Sequence, residues 1–331
     1  MKAKEIGGYF GLELNKGNEY HNMAIHLNTG RNCLEYLIKM LNIKKIFVPY
    51  YNCEVMLEPI KKCKVNYEFY HVDNKLAPIV NQKIKSNETL LYVNYFGLKQ
   101  NIVNSLSYKY KNLIIDNSQA FYCPLVEGMD TFYSARKFFG VPDGAYLYTK
   151  KKKIKLYKDD CSSSRMQHLL IRLDEGAEKG YNNFKLAENS LNNLSIRKMS
   201  NITKALLCNI NYEYAKSVRE QNFLFIYEKL NRLNRIEFDL SKLVAPMVYP
   251  FFTKIKGLRE KLIKNKIFLA TYWRNVLNLV DRDQLEYKLV NQILPLPIDQ
   301  RYGKAEMEYI VYLIKNSTTD SNRSVKKDLY L

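Results

Sequence analysis

The chain has 331 residues, enough to bury a large core, and 47% of them are hydrophobic, which excludes the disordered class. Its 52 lysines and arginines against 33 aspartates and glutamates give a formal charge of +19, so an anionic small substrate would be steered inward. No apolar run reaches the roughly 18 residues a spanning helix needs, and the start "MKAKEIGGYFGLEL" lacks a signal-peptide stretch, so a soluble cytoplasmic protein is expected.

From residue 28 to 150 the pattern alternates between strand and helix. "TGRNCLEYLIKML" (29–41) predicts a helix opened by Thr29 and Gly30, with Leu34, Leu37, Ile38 and Leu41 on one face. "KIFVPYY" (45–51) predicts a buried strand, "EVMLEPIKKC" a second helix and "YEFYHVD" (67–73) a second strand. Four more apolar runs bounded by turn residues follow at 89–97, 112–119, 130–137 and 144–149. The class implied is α/β: a mostly parallel sheet flanked by helices, in a large domain over 1–210. Beyond 150 the chain turns helical and basic. A long helix over 211–233 links to a smaller α+β C-terminal domain that ends near 316, with a strand at 244–254 and a compact close at 294–314. Residues 317–331, polar and low in apolar content, are expected to be disordered.

Three function classes recede on composition. The six cysteines are scattered without a CxxC, so reduced, buried thiols are expected. His21 and His26 lie five apart and share no helix face, so no metal site is expected. The basic run "TKKKKIK" (149–155) would attract nucleic acid, but no RNP, zinc-finger or helix-turn-helix signature accompanies it. Abundant Lys, Asn, Ile and Tyr match a coding bias toward A and T, and nucleic acid is not the expected partner.

Ligands of parallel sheets sit at the carboxyl ends of the strands. Thr29, Pro49, Asn94, Asp116 and Lys137 all fall at or just beyond such ends, which points to one shared site. Pyridoxal phosphate demands a lysine for an imine, an acid to keep its ring nitrogen protonated, and donors for its phosphate. Asp116, closing "LIID", suits the nitrogen, because a carboxylate there favours positive charge beside it. Gln119 is in reach of the ring hydroxyl, the N-terminus of the 30–41 helix offers free amides to the phosphate, and Ser134 adds a hydroxyl. For the ring face the "PYYNC" loop (49–53) supplies Tyr51 and Cys53, of which aromatic Tyr51 is the better platform. Singly each signal is weak, since a strand-end Asp is more often a turn residue and "TGR" is ordinary capping.

In order and spacing these stretches resemble the DegT/DnrJ/EryC1/StrS family, sugar aminotransferases of the type I aspartate aminotransferase fold. The resemblance is carried by "GGYFGLEL", "NTGRNCLEYLI", "FVPYYNCEVMLEPIKK", "YVNYFG", "IIDNSQAF", "SARKFFGVPDGAYL" and the closing "LPLPIDQRYGKAEMEYIV". It implies that Lys137 is the Schiff-base lysine and proton shuttle, that Asp116 pairs with the pyridine nitrogen and Gln119 with the ring hydroxyl. Backbone groups of Gly30 and Arg31, with Ser134, would bind the phosphate. The short step from Ser134 to Lys137 and the turn "GVPDGAY" mark a divergent branch. The implied activity is transfer of an amino group from an amino acid, glutamate by expectation, to a nucleotide-linked keto sugar in polysaccharide or amino-sugar biosynthesis. Relatives that dehydrate sugars carry histidine in place of the lysine, so Lys137 favours transamination. The resemblance also implies a homodimer with shared active sites, for which the Asn182–Asn183 loop is the candidate contribution. The rival is a catalytically inactive regulator or scaffold of the same fold with a basic, polyanion-binding surface.

Overall fold

The structure, a computed structural model, describes residues 6–150 and 157–327, with side chains as far as 317. Residues 151–155 of the basic run and 328–331 of the tail lie outside the described residues. The strands are β1 (Ile25–Leu27), β2 (Lys45–Pro49), β3 (Asn66–Val72), β4 (Pro78–Ile79), β5 (Thr89–Val93), β6 (Leu113–Asn117), β7 (Asp130–Ser134), β8 (Ala145–Tyr148), β9 (Tyr249–Phe252) and β10 (Ile293–Leu296). The first eight form one sheet in the order β1-β8-β7-β6-β5-β2-β3-β4. Strands β3, β2, β5, β6 and β7 run parallel; at one edge β8 runs antiparallel between β7 and β1, so that β1 points the same way as the parallel set, and at the other β4 pairs antiparallel with β3. Every strand expected before residue 150 is in this sheet. Strands β1, β4 and β10, at three, two and four residues, are too short to carry a readable alternation.

The helices are α1 (Gly30–Leu41), α2 (Leu57–Lys62), α3 (Gln100–Lys109), α4 (Gln167–Asp174), α5 (Tyr181–Asn189), α6 (Asn201–Leu207), α7 (Tyr212–Leu230), α8 (Leu258–Lys264), α9 (Leu285–Gln292) and α10 (Lys304–Lys327). Helix α1 starts where the sequence says: the Thr29 side chain accepts from the Asn32 amide, and Asn42 ends the helix in the left-handed region. The alternation of the strands divides their side chains between two cores. On β6, Ile114 packs with Leu34 and Leu37 of α1, whereas Leu113 and Ile115 pack with Val103 and Leu106 of α3. Asp116 falls on the Ile114 face, toward α1.

Helix α7 joins the large core to the small one. Tyr212 and Ala215 at its start pack into the sheet core. Phe223, Ile226 and Leu230 pack with Tyr249 and Phe251 of β9, Leu262 of α8 and Ile310 and Ile314 of α10. Strands β9 and β10 pair antiparallel inside that second core.

Three expectations are corrected. Helix α10 runs through Lys327, so residues 317–327 are helical rather than disordered. Its first turns are anchored by buried Met307, Ile310, Val311 and Ile314, and elongation from an anchored helix adds a bond for each residue fixed. Asn182 and Asn183 lie in the first turn of α5 and not in a loop, Asn183 donating to Gln167. All six cysteines are free, but only Cys33 and Cys123 are buried, and Cys161 is exposed.

Candidate active site

Asp116 sits inside the parallel ladder, opposite Val93 on one side and Phe132 on the other. It is buried, and its Oδ1 accepts from the Ser118 amide at 2.8 Å and from the Ser118 hydroxyl. Burial pushes the carboxyl pKa up to about 6, against the opposing pull of the two Ser118 bonds and of the Lys137 charge. The strand end therefore holds an acid that is costly to ionise unless a cation is brought to it.

Lys137 stands across from it on the single 3₁₀ turn Ala135–Lys137 that follows β7. Solvent reaches the side chain, yet crowding by protein is the largest influence on its ammonium and pushes the pKa down. Cys53 and Asp116 pull it up, and the Arg136 and Arg31 charges push it down. The turn is fixed from outside: the Phe138 carbonyl, one residue on, accepts from Arg219 at 3.3 Å and Gln300 at 2.9 Å. The following acidic turn is anchored at buried Asp143, which accepts from the Ser200 amide at 2.9 Å, the Ser200 hydroxyl at 2.8 Å and the Thr203 hydroxyl. At Gly144 φ is +112° and an added Cβ would lie 2.9 Å from Thr203 Cγ2, so only glycine fits.

The other expected residues are gathered at the same strand ends. The Gly30 and Arg31 amides belong to the orphan donors of the first turn of α1. The Arg31 guanidinium points elsewhere, to Glu58 at 3.0 Å, the Leu191 carbonyl at 3.1 Å and Asn192 at 2.9 Å. Ser134 ends β7, is buried, and makes no capping bond. Gln119 accepts the Phe96 amide on its Oε1 at 2.9 Å, which leaves its NH₂ as the end free to donate. Tyr51 is enclosed, its ring 5.5 Å from Tyr95 in a stacked pair and 4.8 Å from Trp273, and its hydroxyl has no partner. Of the two residues of that loop, Cys53 is the one near enough to Lys137 to influence it electrostatically.

Sequence reading missed Ser118, Arg219, Gln300 and the anchoring of Asp143. Arg219 alone carried a usable signal, a charged residue on a helix face otherwise formed by Ala215, Phe223 and Ile226. A cavity of about 360 Å³ lies elsewhere, lined by Asn222, Phe225, Arg301 and Lys304 among others. Its cations are already matched, Arg301 to Asp299 at 2.7 Å and Lys304 to Glu308 at 3.7 Å, and of the site residues above only Gln300 lines it, not Lys137 or Asp116. Among the described residues there is no cluster of three metal-ligating side chains and no helix long and apolar enough to cross a membrane.

No protein-family model and no curated protein sequence matches this chain. Solved structures do. A DegT DnrJ EryC1 StrS aminotransferase from Brucella abortus is similar at TM-score 0.60 and 17% identity, over 88% of this chain and 85% of that one. The sugar aminotransferase CalS13 from Micromonospora echinospora gives TM-score 0.63 at 13% identity over 89% and 88%. The E. coli GDP-4-keto-6-deoxy-D-mannose-3-dehydratase with bound hydrated PLP gives 0.59 at 13% over 88% and 87%. With its sheet order and these likenesses, the chain has the fold of the DegT/DnrJ/EryC1/StrS aminotransferases, the type I fold of pyridoxal-phosphate enzymes.

Proposed function

We propose that the protein is a pyridoxal-phosphate-dependent aminotransferase that moves an amino group from an amino acid, glutamate by preference, to a nucleotide-linked keto sugar. The observation that carries this reading is the placement of Lys137 and buried Asp116 at the ends of the neighbouring strands β7 and β6, within electrostatic reach of each other. The donor set fits the cofactor. Lys137 would hold it covalently, Asp116 would face the ring nitrogen, Gln119 the ring hydroxyl, and Gly30, Arg31 and Ser134 the phosphate. Cys53 would take the ring face in place of enclosed Tyr51. When bound, pyridoxal phosphate supplies the electron sink for the bond broken at the amino-acid carbon.

The chain's own residues do the rest. The lowered pKa of Lys137 leaves more of its Nζ as the free amine than an ordinary lysine has, which favours it as a nucleophile and as a proton carrier. Asp116 is destabilised as an isolated carboxylate and gains most from a cation set against it, which favours a protonated ring nitrogen. The first-turn amides of α1 put the positive end of the helix dipole on the phosphate. The basic excess draws in the sugar diphosphate. A homodimer, with the partner closing the site, belongs to the same reading.

The test is borohydride reduction of protein loaded with pyridoxal phosphate, followed by peptide mass spectrometry. A pyridoxyl mass on Lys137 is expected, and a mass on another lysine would sink the assignment. Single-turnover exposure of the amino-loaded cofactor form to UDP-, dTDP- and GDP-linked keto sugars then tests the acceptor.

A further inference from the structure

We propose that Arg219 and Gln300 are positioning residues for Lys137, clamping the turn that carries it and, by a second branch, the amide of Gln119. The inference rests on the reading above for the role of Lys137, and on geometry for the clamp. Arg219 is 1% exposed. Its Nη2 donates to the Phe138 carbonyl at 3.3 Å, and its Nη1 to the carbonyls of Pro246 at 3.2 Å and Met247 at 3.1 Å. Its Nε donates to Gln300 Oε1 at 3.0 Å, and Gln300 Nε2 donates in turn to the Phe138 carbonyl at 2.9 Å. Arg219, Gln300 and the residue after Lys137 thus close a triangle, and the guanidinium lies 4.5 Å from the Phe138 ring centre.

The second branch runs from the other side of the fork. The Met247 amide donates to the Phe96 carbonyl at 2.9 Å, and the Phe96 amide donates to Gln119 Oε1 at 2.9 Å. Phe96 is held there at φ +60°, a conformation that persists only when its surroundings fix it. One buried cation therefore reaches Lys137 through the Phe138 carbonyl, and Gln119 through Met247 and then Phe96.

Every acceptor on the fork is neutral. A buried cation without a bonded carboxylate is expensive, and burial indeed lowers the Arg219 pKa to about 10. A core that needed only volume would use an apolar residue here. A planar fork with fixed donor directions is what sets three backbone segments at once, which lysine, a point charge on a flexible stem, cannot do.

Two variants test the clamp. Arg219→Lys keeps the charge and loses the fork. Gln300→Glu keeps an acceptor for Arg219 Nε but loses the donor to the Phe138 carbonyl. In the cofactor-free chain, labelling of Lys137 by an amine-acylating reagent is followed against pH by mass spectrometry, alongside melting temperature. Both variants are expected to move the labelling midpoint up toward that of an ordinary lysine, with about tenfold less labelling below the midpoint for each pH unit moved. With cofactor and donor, kcat should fall while KM for the amino acid holds. If Gln300→Glu keeps the parent's midpoint and kcat, the proposal is overturned whatever its melting temperature. That variant also decides the matter if Arg219→Lys does not fold. The labelling needs no cofactor, so a shifted midpoint in a protein that never takes a pyridoxyl group would keep the clamp and discard the cofactor reading.

Discussion

Asp116 and Lys137 lie at the ends of the neighbouring strands β6 and β7, but the molecule holds them in opposite ways. Asp116 is part of a strand, placed by the backbone ladder of β5, β6 and β7, and its one side-chain partner is Ser118, two residues away. Lys137 lies three residues beyond β7 on a turn with no ladder. It is placed by side chains from far along the chain: Arg219 and Gln300 on one flank, Ser200 and Thr203 through Asp143 on the other. A strand end gives rigidity by local means. A turn must borrow it, and the lending residues can be altered without touching the acid.

The strongest way to break this pair is at the acid. Asp116→Asn should lower turnover by about 10²–10³, the usual loss when an electrostatic partner of the reacting group is removed. The same change should stabilise the cofactor-free protein, and the sign follows from linkage. The carboxyl pKa is raised on folding from 3.8 to about 6, so its contribution to stability is fully present below 3.8 and lost as pH rises through 6. Above that point the ionised group opposes folding by about 3 kcal/mol at most. Cofactor-free Asp116→Asn is therefore expected to melt above the parent at pH 7.5, the gap closing near pH 4. Equal melting temperatures at both pH values would mean that burial does not strain this acid.

A change on the other flank should move Lys137 far more than Asp116. Gly144→Ala puts a Cβ 2.9 Å from Thr203 Cγ2 at a φ of +112°, and so pushes the anchored turn off Ser200 and Thr203. A cost of about 1–3 kcal/mol is expected by denaturant titration. The midpoint of Lys137 labelling should shift in this variant while the dependence of stability on pH near 6, which reports Asp116, shifts far less, since the Lys137 charge is the smallest of the influences on that carboxyl. An equal shift in both would show that the two flanks are not independent.

The same contrast governs how much could be read from the sequence. Asp116 was legible because three consecutive apolar residues in "NLIIDNSQ" announce a buried strand and the acid follows them. Helix α1 was legible because Thr29 and the Leu34, Leu37, Ile38 stripe are local signals. The lysine was singled out by its order after "DNSQ", but nothing near it names Arg219 or Gln300, 82 and 163 positions further on. Tyr51 illustrates the reverse failure: its chemistry suited a ring platform, while its burial against Tyr95 and Trp273 depends on a loop more than 200 residues away. Local periodicity carries elements, and long-range packing decides which side chains are left facing the site.

The smallest change sharpens the comparison on a third wall, the phosphate end. Thr29 Oγ1 accepts the Asn32 amide at 3.1 Å, and removing it leaves α1 with a capping bond fewer. Thr29→Ala should cost about 1 kcal/mol of stability. The Asn32 side chain still bonds Asn28 at 2.7 Å, so the helix start loosens without being lost. If the first-turn amides of Gly30 and Arg31 bind the cofactor's phosphate, a loosened turn should weaken pyridoxal phosphate by about fivefold, the equivalent of that 1 kcal/mol. Pyridoxal without its phosphate does not use those amides, and its affinity should be the same for parent and variant. The measurement is a pair of equilibrium titrations followed by the visible absorbance of the bound cofactor. Equal weakening of both ligands would place the effect in the fold as a whole and remove the helix end from the site, whereas a loss confined to the phosphorylated form assigns the anion to the N-terminus of α1.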